Sequence, residues 1–398
     1  MSGHAEPVGG RLLTGPMKFL LLVVAVGVAM MVWRFASGIG AVSGLSDGYP
    51  WGIWIAFDVV TGTALACGGY AVAILVYILN RARFHPLMRS AILTSALGYS
   101  LASVGIVVDV GRYWNLYKLP ISWGKWNLNS ILLEVALCVM AYIVVLWIEM
   151  APVFLERWQQ SGRPGLARFA ARVSPALDKA LIWIIALGLL LPTMHQSSLG
   201  GVMLLGSHKM HPLWQTPLLP LLFLISCIAM GFGVVVMESS LSARVFRRPR
   251  ETAMLSNLAR IASWLLFLYV ALRIGDIALR GRLGALAAMD GASILFLVEM
   301  LLFLLPAFLL QSRSRREAPG CLFRGAFMIV LAGSLYRFST YLITYHPGPS
   351  WSYFPTVPEL LITTGLVALE IVLYIVIVKR YPILAAGSSG PQLQGGTR

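Results

Sequence analysis

The stretch ALIWIIALGLLLPTMHQSSLG, residues 180–200, decides the class of this protein. Its first twelve residues carry no charge. The apolar run covers about 178–199, and about twenty apolar residues is the length of one helical crossing of a bilayer. It closes on His195, Gln196, Ser197 and Ser198, groups that hydrocarbon rejects. The pattern predicts a membrane helix ending near 199 with His195 just below one surface. There His195 either serves chemistry or simply caps the helix with Gln196 and Ser197.

The same pattern recurs along the chain. Of 398 residues, 58% are hydrophobic and 12% charged, about half the charge of an ordinary soluble domain. Ten apolar runs follow one another: 17–35, 54–79, 91–113, 129–149, 178–199, 214–238, 257–279, 291–311, 321–345 and 357–379. Hydrocarbon forces spans this apolar to be helices, because the backbone must satisfy its own hydrogen bonds. The fold class is therefore an all-α polytopic membrane protein, a single integral membrane domain. The first run, at about 19 residues, exceeds a signal-peptide core and lacks a small-residue cleavage site, so it is expected to be a retained helix. Residues 385–398, AAGSSGPQLQGGTR, form a flexible tail without a motif.

Ten spans put both termini on one side. That side collects 22 of the 31 Lys and Arg residues, and positive loops stay inside, so both termini are expected in the cytoplasm. The net charge of +15 is explained by this topology and not by a nucleic-acid partner. The opposite loops carry Trp51, Trp114, Trp123, Trp126, Trp214 and Trp351, which suit a membrane interface.

Ionisable groups inside spans are candidates for function. Asp58, Asp109 with Arg112, Glu134, His195, and Arg273 with Asp276 all fall near the outer ends of their runs. Asp109–Arg112 and Arg273–Asp276 are three residues apart, a spacing that lets each pair meet on one helix face. The second pair is expected to be structural only. Glu134 has no cation within four residues; a lone desolvated carboxyl suits proton transfer near neutral pH. Glu149 and Glu238 close helices at the cytoplasmic face, and Glu299 and Glu370 lie nearer mid-membrane. A buried b-type haem takes two axial histidines, yet of the six histidines only His195 lies within a span, so a haem held between helices is not expected. The four cysteines stand singly, with no CxxC, so neither an iron–sulfur cluster nor a metal site is predicted. A carboxylate, a guanidinium, an imidazole and indoles under one surface suit the head group of a quinone, while a proton-coupled transporter could use a similar set.

Several segments together resemble the NrfD/PsrC family of quinone-reactive membrane subunits, and within it the membrane subunits of periplasmic uptake nickel–iron hydrogenases. They are GYPWGIWIAFD (48–58), ACGGYA (66–71), FHPLMRSAILTSALGYS (84–100), DVGRYWNL (109–116), NLNSILLE (127–134), LLPTMHQSSLG (190–200), HPLWQ (211–215) and YFPTVPELLITTGLVALEI (353–371). The resemblance implies two four-helix bundles, 54–199 and 214–345, with peripheral helices at 17–35 and 357–379. It implies a bacterial inner-membrane subunit without haem or iron–sulfur cluster. Its partners would be a periplasmic ferredoxin-like iron–sulfur subunit and the small and large hydrogenase subunits, and electrons would pass to menaquinone or ubiquinone. On that basis Asp58, Asp109, Arg112, Tyr113, Trp114 and His195 are expected at the quinone. Glu134, His195, Tyr99, Glu149 and Glu238 are expected to carry protons. A quinol-oxidising subunit of a polysulfide, nitrite or molybdopterin reductase is the alternative.

Overall fold

The computed structural model describes residues 6–249 and 251–384; the tail 385–398 lies outside them. Among the described residues, ten helices are long and apolar enough to cross a membrane: α1 Gly15–Ser37, α2 Trp54–Ile78, α3 Ala82–Asp109, α4 Ile131–Gln159, α5 Pro164–Leu205, α6 Leu219–Val245, α7 Thr252–Leu279, α8 Gly291–Leu309, α9 Pro319–Ile343 and α10 Val357–Arg380. The described residues contain no strand, only one isolated bridge between Met210 and Tyr345. Local signals set several helix starts. Ser130 accepts from the Leu133 amide and Asp290 from the Ser293 amide. Thr356 and Glu359 form a capping box at α10, which satisfies two otherwise orphaned amides. The described residues start and finish at the arginine-rich face, where the Val8 and Gly9 amides donate to the Val378 and Lys379 carbonyls; this face is the basic end. The tryptophan-bearing loops form the aromatic end.

Neighbours pack in two closed circuits. Helices α2–α3, α3–α4 and α4–α5 adjoin, with α2 also touching α5; α6–α7, α7–α8 and α8–α9 adjoin, and α9 returns to α6. Between the circuits, α5 and α2 pack against α6, and the outer part of α2 meets α9. Helices α1 and α10 pack on each other beside α3. Their crossing is close: a Cβ on Gly27 would lie 2.8 Å from the Gly365 Cα. Small residues let membrane helices approach this way. Gly365→Val is expected to force α1 and α10 apart and cost about 1–3 kcal/mol, visible as a lower melting temperature in detergent with unchanged helical circular dichroism.

Two helices depart from regular geometry where the circuits meet. Helix α2 is wide-wound as π-helix over Trp54–Thr61, breaks after Leu65, and resumes at Gly68. Helix α9 ends in a π segment, Ser339–Ile343. At the break, the Cys67 carbonyl rests on Gly231 of α6, where a Cβ would come within 2.6 Å. Helix α5 is 42 residues long, about 63 Å at 1.5 Å per residue, and its first residues form the helical wall of what reads in sequence as a loop.

Candidate functional site

The deepest polar cluster lies where the circuits meet. Helix α5 does not end near 199: it runs on to Leu205, which puts His195 about 15 Å of helix inside that end. The residues SSLGG resemble a loop in sequence, but their small side chains serve close packing; a Cβ on Gly200 would strike the Leu219 carbonyl at 2.5 Å. His195 is therefore a fully buried residue and not a helix cap.

Both ring nitrogens of His195 are engaged. Nδ1 lies 2.9 Å from the Leu191 carbonyl, an acceptor only, so Nδ1 carries the proton and Nε2 accepts. The Tyr99 hydroxyl is 2.7 Å from Nε2 and the Gln196 amide nitrogen 3.1 Å. Gln196 also donates to Thr63 Oγ1 at 3.0 Å. Its carbonyl oxygen accepts from Arg337 Nη2 at 3.3 Å, which fixes the amide's orientation. Arg337 donates further to the Val60 carbonyl at 3.1 Å, the Phe223 carbonyl at 3.2 Å and Ser226 Oγ at 3.1 Å. Val60 lies in the π segment of α2, the kind of irregularity that gathers at functional sites. Cys67 Sγ lies 3.3 Å from the Tyr99 hydroxyl, and the Tyr142 ring meets Tyr99 edge-on at 4.7 Å. Six helices thus build a chain from Arg337 through Gln196 to His195 and Tyr99. All four are fully buried. The partners named for Arg337 are neutral, so its charge is available to stabilise negative charge developing nearby.

Glu134 stands one turn nearer the aromatic end. It is half-buried and accepts from Ser198 Oγ at 2.8 Å. Ser198 is three residues beyond His195 on α5, which places the carboxyl and the imidazole along one side of the helix. Toward the basic end, Glu238 accepts from Thr94 at 2.7 Å and from Tyr374 at 2.6 Å. Glu370 packs against Gly98 of the same helix α3. Thr94, Gly98 and Tyr99 connect this acidic pair to the central cluster along α3. Glu149 faces Gly188 on α5 instead.

The expected gathering of charges at one depth does not occur. Asp58 is buried between α2, α3 and α10, accepting from Thr363 at 2.8 Å and packing on Gly105. Asp109 is the last residue of α3, and its Oδ1 has no hydrogen-bond partner within the protein. Arg112 lies beyond the helix end and is exposed, so the pair anticipated from the three-residue spacing does not form: the chain turns away before the second member. The cation near Asp109 is Arg34 of α1, which binds the Val108 and Val110 carbonyls at 2.6 and 2.8 Å. Tyr113 stacks edge-on against Phe35 at 4.7 Å, and Trp114 is 60% exposed. Arg273 and Asp276 do not pair either. Asp276 binds Arg280 one turn further along, at 2.5 Å, while Arg273 donates to the Leu213 carbonyl at 3.0 Å. In the loop before α6, burial lowers the pKa of His211.

Gln196 reads in sequence as part of a helix cap, and Arg337 lies inside the apolar run 321–345 without a sequence partner. The signal in both cases is depth: a guanidinium near the middle of an apolar run must bond to something.

A profile described as polysulphide reductase, NrfD, matches residues 41–343. The chain belongs to the NrfD family. It is 41% identical, over 96% of both chains, to the Escherichia coli protein described as "Probable Ni/Fe-hydrogenase 2 b-type cytochrome subunit". More distant NrfD-type relatives include the "Menaquinone reductase, integral membrane subunit" of Nitratidesulfovibrio vulgaris, 28% identical over 65% of this chain and 61% of that one. A selenate reductase subunit of Mesobacillus selenatarsenatis is 23% identical over 54% of each chain. The first description corrects one expectation: a chain without haem is at odds with a relative called a b-type cytochrome. The central cluster does not fit the group, because both His195 nitrogens are already bonded and a haem iron would have to displace Tyr99 and Gln196. A haem on this NrfD protein would take its ligands from outside the cluster.

Proposed function

We propose that this chain is the quinone-reactive membrane subunit of a hydrogen:quinone oxidoreductase. The observation that carries this is the buried Arg337–Gln196–His195–Tyr99 chain with Glu134 one turn above it, taken with relatives described as hydrogenase and menaquinone reductase subunits. Reducing a quinone takes two electrons and two protons, one proton on each carbonyl oxygen. The electrons come from an iron–sulfur partner, itself fed by small and large nickel–iron hydrogenase subunits. The partner docks on the aromatic end, facing the bacterial periplasm, with both termini in the cytoplasm. Glu134, half-buried, meets the head group and gives one proton. Tyr99, its hydroxyl held by His195 Nε2, gives the other to the second carbonyl oxygen and is reprotonated along α3, and Arg337 holds the negative charge that develops. Glu238, Glu370 and Thr94 return protons along α3, and Glu149 offers a separate inner carboxyl on α4.

Positioned proton donors at the reacting oxygen contribute about 10²–10⁴ in rate. Glu134→Gln is therefore expected to slow hydrogen-dependent quinone reduction by at least about tenfold while dye reduction by the partner subunits is unchanged. Purification in mild detergent should also bring down iron–sulfur and hydrogenase chains; a chain that purifies alone removes this proposal and favours a transporter. A second placement sets the head group against Asp109, whose Oδ1 lacks a protein partner, near Tyr113 and Arg34. Asp109→Asn weakens quinone binding on that placement and leaves it unchanged on the first. Flow in the opposite direction, from quinol to a reductase, uses the same residues in reverse.

A further inference from the structure

A second buried polar cluster lies in the α6–α9 circuit, built from residues that the quinone proposal does not use, although its Tyr336 adjoins Arg337 on α9. Arg273 and Tyr269 come from α7, Glu299 from α8, Tyr336 and Ser339 from α9, and all five are fully buried. Arg273 has aromatic rings around it: its guanidinium carbon is 5.8 Å from the centre of Trp214, 5.2 Å from Phe296 and 5.7 Å from Tyr336. Tyr269 and Tyr336 are 5.4 Å apart, edge to face. Trp214 Nε1 holds one oxygen of Glu299 at 3.2 Å. The rest of the polar surface makes no close hydrogen bond to protein: Arg273 Nε and Nη2, Glu299 Oε1, the Tyr269 and Tyr336 hydroxyls and Ser339 Oγ are left over, with Tyr269 facing Arg273 and Ser339 facing Glu299 beyond good hydrogen-bond geometry. Most buried polar atoms in a native protein are bonded, and an unpaired one costs about 1–3 kcal/mol. Six in one place point to a bound ligand.

We propose that this cluster binds water, bridging Arg273 to Glu299. Charge selects the ligand. Arginine and glutamate already cancel, so an added ion would be a lone buried charge, which is costly. Hydrogen bonding agrees: the orphans are mainly donors with one carboxylate acceptor, and water both accepts from the donors and donates to Glu299. Buried water ordinarily makes about three such bonds. The site is sealed toward the aromatic end by Trp214, against which the His211 ring stacks at 5.9 Å. It makes Arg273 and Glu299 one charge-neutral unit although no direct ion pair joins them.

A cryo-electron-microscopy map of the purified complex, at a resolution that reveals ordered water, tests this. Density within hydrogen-bond distance of both Arg273 and Glu299 Oε1 is the expected result. A map in which the two side chains touch directly, or in which the space is closed by apolar atoms, overturns it. A thermal double-mutant cycle provides the second arm. Glu299→Met or Arg273→Met alone is expected to lower the melting temperature strongly, because each strands the other charge, and the double Met variant is expected to recover most of the loss. Additive losses in the double variant would contradict a bridged pair.

Discussion

Replacement of His195 by Ala or Gln is expected to reduce hydrogen-driven quinone reduction by on the order of 10²–10⁴, the range spanned by positioned acid–base groups. Dye-coupled hydrogen oxidation should be retained, since on the proposed function that chemistry takes place in the partner subunits. The size follows from connectivity. His195 makes the shorter link between Tyr99 and the Gln196–Arg337 arm, Gln196 itself reaching the Tyr99 hydroxyl only at 3.4 Å. Alanine removes the acceptor of the Tyr99 hydroxyl and leaves Gln196 with Thr63 and a longer contact to Tyr99. Glutamine restores a polar group but lacks the rigid two-ended ring that spans the Leu191 carbonyl and Tyr99. Tyr99→Phe should approach the same loss, since it removes the proton but leaves the imidazole. Full quinone activity in His195→Gln would mean that the chain through this ring carries no protons.

Arg337→Leu is expected to be the most destabilising single change, by about 3–5 kcal/mol, because four buried acceptors then lose a charged donor. These are the Val60 and Phe223 carbonyls, Ser226 Oγ and the Gln196 carbonyl. Arg337→Lys keeps the charge but has neither the planar fork nor the reach to serve all four, so its loss should be smaller. Thermal unfolding of the purified complex measures both. A leucine variant that melts like the wild type would remove Arg337 from any structural role at the junction.

The ten crossings follow from run length, since hydrocarbon leaves the backbone little choice. Depth did not follow. His195 reads as interfacial because Ser197, Ser198 and Gly200 look like the start of a loop, yet they are the small residues that let α5 pack on α4 and α6. Asp109 and Arg112 read as a pair because spacing assumes a continuing helix, and the helix stops between them. Arg273 and Asp276 do share a helix, but Arg280 competes for the aspartate and Arg273 turns to the Leu213 carbonyl. Glu134 lies near the end of its helix, in the first turn of α4 and not a turn further in as the run from 129 implies, and its partner, Ser198, comes from tertiary packing that spacing does not encode. Arg337 and Gln196 are plain in the sequence as polar residues; their joining across α5 and α9 depends on the bundle.

Helix α5 also sets how this protein sits in a bilayer. About 63 Å of helix is roughly twice the 30 Å of hydrocarbon a membrane offers. The surplus lies at the N-terminal end, where Arg168, Arg172 and Lys179 project from the rod beside Arg157 and Arg163. Charges of this kind cannot be drawn into the acyl chains, and anionic head groups hold them. The hairpin of α4 and α5 therefore works as a depth stop. It sets the height of His195 above the head groups on that side.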